Sequence, residues 1–196
     1  MSSRDEILRR LRAAAPPPEA LPETRGLAAP YADRVAQFET AVAAVAGTAV
    51  RVADGPALAD GVAALAARLG AKRIASAVPD AGPGNVALEA LRDPHELEGV
   101  DLAVLPGVFG VAENGAVWVA GASLHDRAVF VVTQHLALVL PAGELVNDMH
   151  EACARVAALP RGYGLFIAGP SKTADIEQAL VIGAHGARSC AVFLVG

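Results

Sequence analysis

Glu113 is the one ionisable side chain in the run Gly107-Val108-Phe109-Gly110-Val111-Ala112-Glu113-Asn114-Gly115. A carboxylate in so apolar a context can serve as a nucleophile, a general base or a hydrogen-bond acceptor. Gly107 and Gly110 permit tight turns just after an apolar segment ending at Leu105 that reads as a strand. Open α/β sheets place ligands at such strand ends. Asn114-Gly115 is also a strong turn pair, so Glu113 reads equally well as the exposed shoulder of a hairpin. The glycine spacing is not GxGxxG, and it gives no support for a dinucleotide-binding loop.

A denser polar patch is Gly169-Pro170-Ser171-Lys172-Thr173-Ala174-Asp175-Ile176-Glu177, set between apolar segments. Pro170 and Ser171 are residue types that start a helix, whose free N–H groups would hold an anion beside Lys172. Asp175 and Glu177 would then lie in or near the first turn, where acids suit the helix dipole but oppose an anion. A polar cap with early-turn acids is the alternative. Ser171-Lys172-Thr173 lacks the glycines of a P-loop. His185 sits in Gly183-Ala184-His185-Gly186, where flanking glycines imply close backbone approach, and its ring changes charge near neutral pH. His125, His135 and His150 form no short metal signature, so spacing assigns no metal site.

These residues need a scaffold, and the 196-residue chain is long enough for one domain with a sizeable core. The hydrophobic fraction is 54%, much of it alanine, which gives a mean hydropathy of +0.41. No apolar stretch approaches the roughly 18–20 residues that span a bilayer. The polar start Met1-Ser2-Ser3-Arg4-Asp5-Glu6 leads into no signal-like region, so a cytoplasmic protein without membrane insertion is expected. A net charge of −5 disfavours nucleic acid as a partner. Cys153 and Cys190 have neither CxxC spacing nor the count of a disulfide scaffold, and both are read as reduced and buried. An iron–sulfur cluster normally takes four ligands, so none is expected to be bound by this chain alone.

Residues 4–13 read as a helix that ends at Ala15-Pro16-Pro17-Pro18. Residues 1–30 are thus an N-terminal helical arm and linker, packing loosely or against a partner, and residues 31–196 an α/β domain. Val35, Phe38, Val42 and Val45 recur at helical spacing, as do Leu58, Val62, Leu65 and Leu69 before Gly70. Residues 48–52, 72–75 and 102–105 read as strands, and 86–91 as a short helix. Residues 116–119, 128–132 and 136–140 follow as strands without room for helices, which suggests a mixed portion of sheet. Leu145, Met149, Ala152 and Val156 restore the helical period, and 165–168 and 191–195 supply the last strands. The fold class is α/β, with helices over a mixed sheet, and no internal repeat is present. Trp118 is assigned to core or interface packing.

From about Val100 to Val195 the chain resembles the LUD-domain family, the lactate-utilisation protein C or LutC/YkgG type. The resemblance rests on Gly110-Val111-Ala112-Glu113-Asn114-Gly115, on Val139-Leu140-Pro141-Ala142, and above all on Gly169 to Glu177 with Leu180-Val181-Ile182-Gly183-Ala184-His185-Gly186. Residues 1–98 match mainly in layout. The family implies a three-layer α/β/α sandwich with a mixed, largely parallel sheet, similar to the NagB/RpiA/CoA-transferase-like fold. It also implies a part in oxidising L-lactate to pyruvate with separate iron–sulfur proteins, which would carry the redox centres. The family usually has threonine where Asn114 stands, and commonly valine and proline at Ala184 and Ala187. Gly110, Glu113, Gly115, Ser171, Thr173, Asp175, Glu177 and His185 carry over as motif positions.

The leading functional expectation is therefore an accessory component of lactate oxidation. An autonomous enzyme on a small carboxylate, a sugar phosphate or a CoA thioester is the alternative. There Glu113 would be the nucleophile or base, and Gly110, Asn114, Gly115, Ser171, Lys172, Thr173, Asp175, Glu177 and His185 would form the ligand site. A third reading is a regulatory module that binds a small carboxylate, and a homo-oligomer is compatible with each.

Overall fold

Elements alternate along the chain as the apolar periodicity requires. The computed structural model describes residues 2–20, 22, 29–82, 84–173 and 180–196. Helix α1 (Ser3–Ala14) opens on a reciprocal cap between Ser2 and Asp5, and none of its residues is buried. Asp33 caps α2 (Arg34–Ala44), which leads to β1 (Thr48–Val52). Asp54 caps α3 (Gly55–Leu69), and Gly70 ends it with a left-handed φ of 64°. Strands β2 (Ile74–Ser76), β3 (Leu102–Pro106), β4 (Phe109–Val111) and β5 (Val117–Ala120) follow. Then come a helical turn, α4 (Val129–Val132), strands β6 (His135–Pro141) and β7 (Leu145–Val146), and helix α5 (Met149–Ala158). The chain closes with β8 (Gly164–Ile167), β9 (Lys172–Thr173), β10 (Val181–Ile182) and β11 (Ser189–Val195).

Among the described residues the main sheet has five strands in the order β1-β11-β6-β3-β2, and every neighbouring pair is parallel. Leu58, Val62, Leu65 and Ala66 of α3 cover one face, packing on Leu102, Val104, Ala137 and Phe193. The other face presents Leu105, Leu138, Leu140 and Leu194 to Phe38 and Val42 of α2 and to Val117, Val119 and Leu145. Those last three belong to a smaller sheet, β7-β4-β5-β8. Phe109 and Val111 of that sheet meet Ala152 of α5 on its far side. The result is a three-layer α/β/α sandwich with a largely parallel sheet and a small sheet inserted beneath α5. The mixed portion of sheet expected over residues 116–140 is not in the main sheet, where β6 is parallel to both neighbours; the antiparallel pairs, β4 with β5 and β5 with β8, lie in that insertion.

Three local expectations need correction. Residues 128–132 form no strand, because Asp126 accepts the Ala128 N–H at 2.7 Å and starts the turn α4. That turn leaves Val131 and Val132 exposed. Strand β2 begins at Ile74, since the Asp101 carboxylate takes the N–H groups of Lys72 and Arg73 at 2.7 and 2.8 Å. Leu145 lies in β7, one strand ahead of the helix that its spacing suggested.

The two cysteines differ sharply. Burial in β11 pushes the Cys190 thiol up to about 12, whereas Cys153 on α5 is exposed, contrary to expectation. A thiol reagent at neutral pH is expected to label Cys153 alone in the folded chain and both residues after denaturation. Equal labelling rates in the folded protein, read by mass spectrometry, would contradict the buried setting of β11. No helix among the described residues is long and apolar enough to cross a membrane.

Candidate functional site

The segment after β4 closes as a hairpin. Gly115 N–H donates to the Val111 carbonyl at 2.9 Å, and Val111 N–H donates to that of Ala116 at 2.8 Å. The Asn114 side-chain oxygen accepts the Ala116 N–H at 3.0 Å, an Asx turn that fixes the corner. Glu113 is its exposed shoulder, and its Oε2 accepts the Met149 N–H at 2.9 Å. Met149 is the first residue of α5, so this carboxylate satisfies one of the helix's open donors and faces the positive end of its dipole. Asp148 sits at the same terminus, and its carboxyl is held below the usual range, chiefly by the Glu151 N–H. Glu113→Ala is expected to lower stability by about 1 kcal/mol through the lost helix-end contact. Urea denaturation would measure it, and an unchanged midpoint would mean that water replaces the carboxylate without loss.

Asn147, which sequence reasoning missed, ties this corner together. It is 2% exposed, and its Oδ1 accepts the Tyr31 N–H at 2.7 Å. Its carbonyl accepts the Glu113 N–H at 3.1 Å, and its own N–H donates to Glu151 at 2.8 Å. A buried polar side chain needs such partners. Asn147-Asp148 ahead of a helical period was the available signal, although it reads as a cap and not as a hub.

Gly110 and Gly115 act through close packing. A Cβ on Gly110 would stand 2.7 Å from Leu145 Cδ2 and 2.8 Å from the Phe38 ring. Gly115 has a φ of 69°, and a Cβ there would lie 2.7 Å from the Val42 nitrogen of α2.

The second motif meets the same helix. Gly169 has a φ of 72°, and a Cβ on it would lie 2.4 Å from the carbonyl oxygen of Val45, the residue that caps the C-terminus of α2. The Lys172 ammonium donates to that same carbonyl, a cation at the negative end of the helix dipole. Ser171 N–H donates to the Ala187 carbonyl at 2.9 Å, and the Ser171 carbonyl accepts the Gly183 N–H at 3.0 Å. These bonds extend the backbone, so Lys172 and Thr173 form β9 and pair antiparallel with Val181 and Ile182 of β10. The helix start expected at Pro170 and Ser171 is thereby overturned for the residues up to Thr173. Asp175 and Glu177 lie outside the described residues. His185 is exposed in the Gly183–Gly186 turn, and Gly186 passes close to Ser171.

Strands β5 and β8 bring the two motifs to one end of the small sheet. Their register pairs Val117 with Ile167, and continuing it by two residues sets Gly115 level with Gly169. Both glycines press on the last turns of α2, one at Val42 and the other at Val45. Glu113, Lys172, Val181, Ile182 and His185 are each exposed.

A family model described as the LUD domain matches residues 85–195, which include both motifs. The chain is 29% identical over 103 residues to lactate utilization protein C of Shouchella clausii, covering 50% of this chain and 45% of that one. It is 30% identical over 110 residues to the protein of that name from Halalkalibacterium halodurans, covering 52% and 47%. The matches thus span about half the length of these curated relatives. A crystal structure of a DUF162 family protein from Deinococcus radiodurans superposes with a TM-score of 0.59 at 20% identity, covering 84% of this chain and 98% of that one. At that identity the likeness bears on the fold alone.

Proposed function

This chain belongs to the LUD domain family, and from that membership we propose that it is an accessory component of lactate utilisation, the oxidation of L-lactate to pyruvate. It would work beside separate iron–sulfur proteins, which hold the redox centres. The observation that carries the reading is the family match over both motifs, together with relatives named lactate utilization protein C. Two physical features support it. The 196 residues hold two cysteines, one of them a buried thiol, against the four thiolates of an ordinary cluster. The second motif also exposes a histidine, His185, and two aliphatic side chains, Val181 and Ile182, which suits a protein partner better than an enclosed substrate.

The test is reconstitution of lactate-dependent dye reduction with the iron–sulfur partners, with and without this chain. Addition of the chain should raise the rate, and Ile182→Asp, at an exposed position, should weaken co-purification with the partners. Full activity in its absence would sink the proposal.

The exposure of Glu113 favours one competing reading, in which its carboxylate attacks a CoA thioester. That step would form a mixed anhydride at Glu113 and release the CoA thiolate. An acyl adduct seen by intact mass, and lost in Glu113→Gln, would replace the accessory role with an enzymatic one. The bond from Glu113 to Met149 weighs against it, because that oxygen already serves α5.

A further inference from the structure

We propose that Asn114-Gly115 is a guarded modification site, at which the chain converts Asn114 to aspartate or isoaspartate only while the hairpin after β4 is lifted off α2. Of the asparagines Asn85, Asn114 and Asn147, only Asn114 is followed by glycine. Glycine has no side chain to obstruct ring closure. The reaction needs water and no enzyme. The Gly115 amide gives up its proton, its nitrogen bonds to Cγ of Asn114, and the side-chain amide nitrogen leaves with that proton as ammonia. Water then opens the cyclic imide at either carbonyl, which gives aspartate or an isoaspartate with an extra main-chain carbon.

In the folded chain the attacking nitrogen is withheld. Gly115 is buried, and its N–H donates to the Val111 carbonyl at 2.9 Å. A base must take this proton, so burial and the hydrogen bond both oppose the first event. The flanking backbone is tied as well. Ala112 N–H donates to the Val146 carbonyl at 2.9 Å, and Glu113 N–H to that of Asn147 at 3.1 Å. Ring closure turns the Asn114 side chain back onto the next nitrogen, whereas its Oδ1 is held by the Ala116 N–H, two residues on, at 3.0 Å. That bond also polarises the side-chain carbonyl, so the guard lies at Gly115 and not at the asparagine.

Helix α2 is the support behind the guard. Gly115 has a φ of 69°, and a Cβ on it would stand 2.7 Å from Val42 N and 2.9 Å from the Ala41 carbonyl carbon. The hairpin has no room to swing toward the helix, so it opens only by leaving it. The two products then differ. Aspartate keeps the backbone and an oxygen for the Ala116 N–H, so the hairpin can close again. Isoaspartate lengthens the main chain directly before Gly115, where a single added carbon already collides with helix backbone. A chain that has opened long enough to form isoaspartate therefore cannot restore the native contact.

Peptide mass spectrometry of the full chain, incubated at mildly alkaline pH with and without urea, tests the proposal. Conversion at Asn114 should be at least about tenfold slower in the folded chain than in urea, because the opening free energy must be supplied first. Asn114→Gln should remove the conversion in urea, where folding plays no part. After the urea is diluted out, the isoaspartate form should melt at a lower temperature than Asn114→Asp. Equal rates with and without urea would overturn the guard, and no conversion in urea would overturn the site. Equal melting temperatures for the isoaspartate form and Asn114→Asp would show that α2 does not exclude the longer chain, which overturns the last step.

Discussion

Replacing Gly115 with alanine is expected to destabilise the protein by about 2–4 kcal/mol, the sum of a left-handed dihedral penalty and a collision with helix backbone. Its φ is 69°, and the added Cβ would stand 2.7 Å from Val42 N and 2.9 Å from the Ala41 carbonyl carbon. Backbone cannot swing aside as the far end of a side chain can, so α2 itself must shift. Gly169→Ala should behave alike, because its φ is 72° and its Cβ would approach the Val45 carbonyl oxygen to 2.4 Å. Gly70 provides the control, having a φ of 64° and nothing within 4 Å of an added Cβ. Gly70→Ala should cost only the dihedral penalty, about 1 kcal/mol. Urea midpoints of the three variants separate the two contributions. If Gly115→Ala costs no more than Gly70→Ala, the hairpin does not rest on α2 as drawn.

The same geometry changes what the two motifs mean. Their glycines press two separate segments onto the last turns of α2, and Lys172 caps that helix. Part of the polar chemistry legible in the motifs is therefore spent on holding the surface in shape. Glu113 is spent in the same way at the start of α5. Exposed groups such as His185, Val181 and Ile182 are not used in this way, and they are the side chains that the proposed accessory role calls on.

Helices were legible wherever a cap and a 3.6 period coincided, as at Asp33 with Val35, Phe38 and Val42, and at Asp54 with Leu58, Val62 and Leu65. Buried parallel strands were legible as continuous apolar runs, such as residues 136–140 in β6. The run at 128–132 looked the same, but one carboxylate at Asp126 turned it into a helical turn. Periodicity cannot separate the two in so short a stretch. Pro170 and Ser171 misled for a different reason. Their residue types suit a helix start, but the bond from Ser171 to Ala187 and the pairing of Thr173 with Val181 extend the chain. Asn147 escaped notice because its key partner, Tyr31, is 116 residues away. The fold was thus readable from local pattern, while the site depends on contacts that local pattern does not carry.

Phe38→Ala is expected to cost about 3–5 kcal/mol, the largest effect of any single substitution considered. The ring is fully buried on α2, in the cluster that joins the main sheet to Val117, Val119 and Leu145 of the small sheet. Its removal leaves a cavity that α2 can fill only by moving, and Gly115, Gly169 and Lys172 all touch that helix. A double-mutant cycle with Gly110 tests the geometry directly. Gly110→Ala alone should cost about 1–3 kcal/mol, because its Cβ would stand 2.8 Å from the Phe38 ring and 2.7 Å from Leu145. In the Phe38→Ala background the new methyl enters space that the ring has vacated, and the end of the Leu145 side chain can turn away. The second substitution should then be close to neutral, and the two costs should fall well short of adding. Strict additivity would mean that the ring does not lie over Gly110. The glycine would then have to be explained by the course of β4 alone, and α2 would lose its place as the support beneath both motifs.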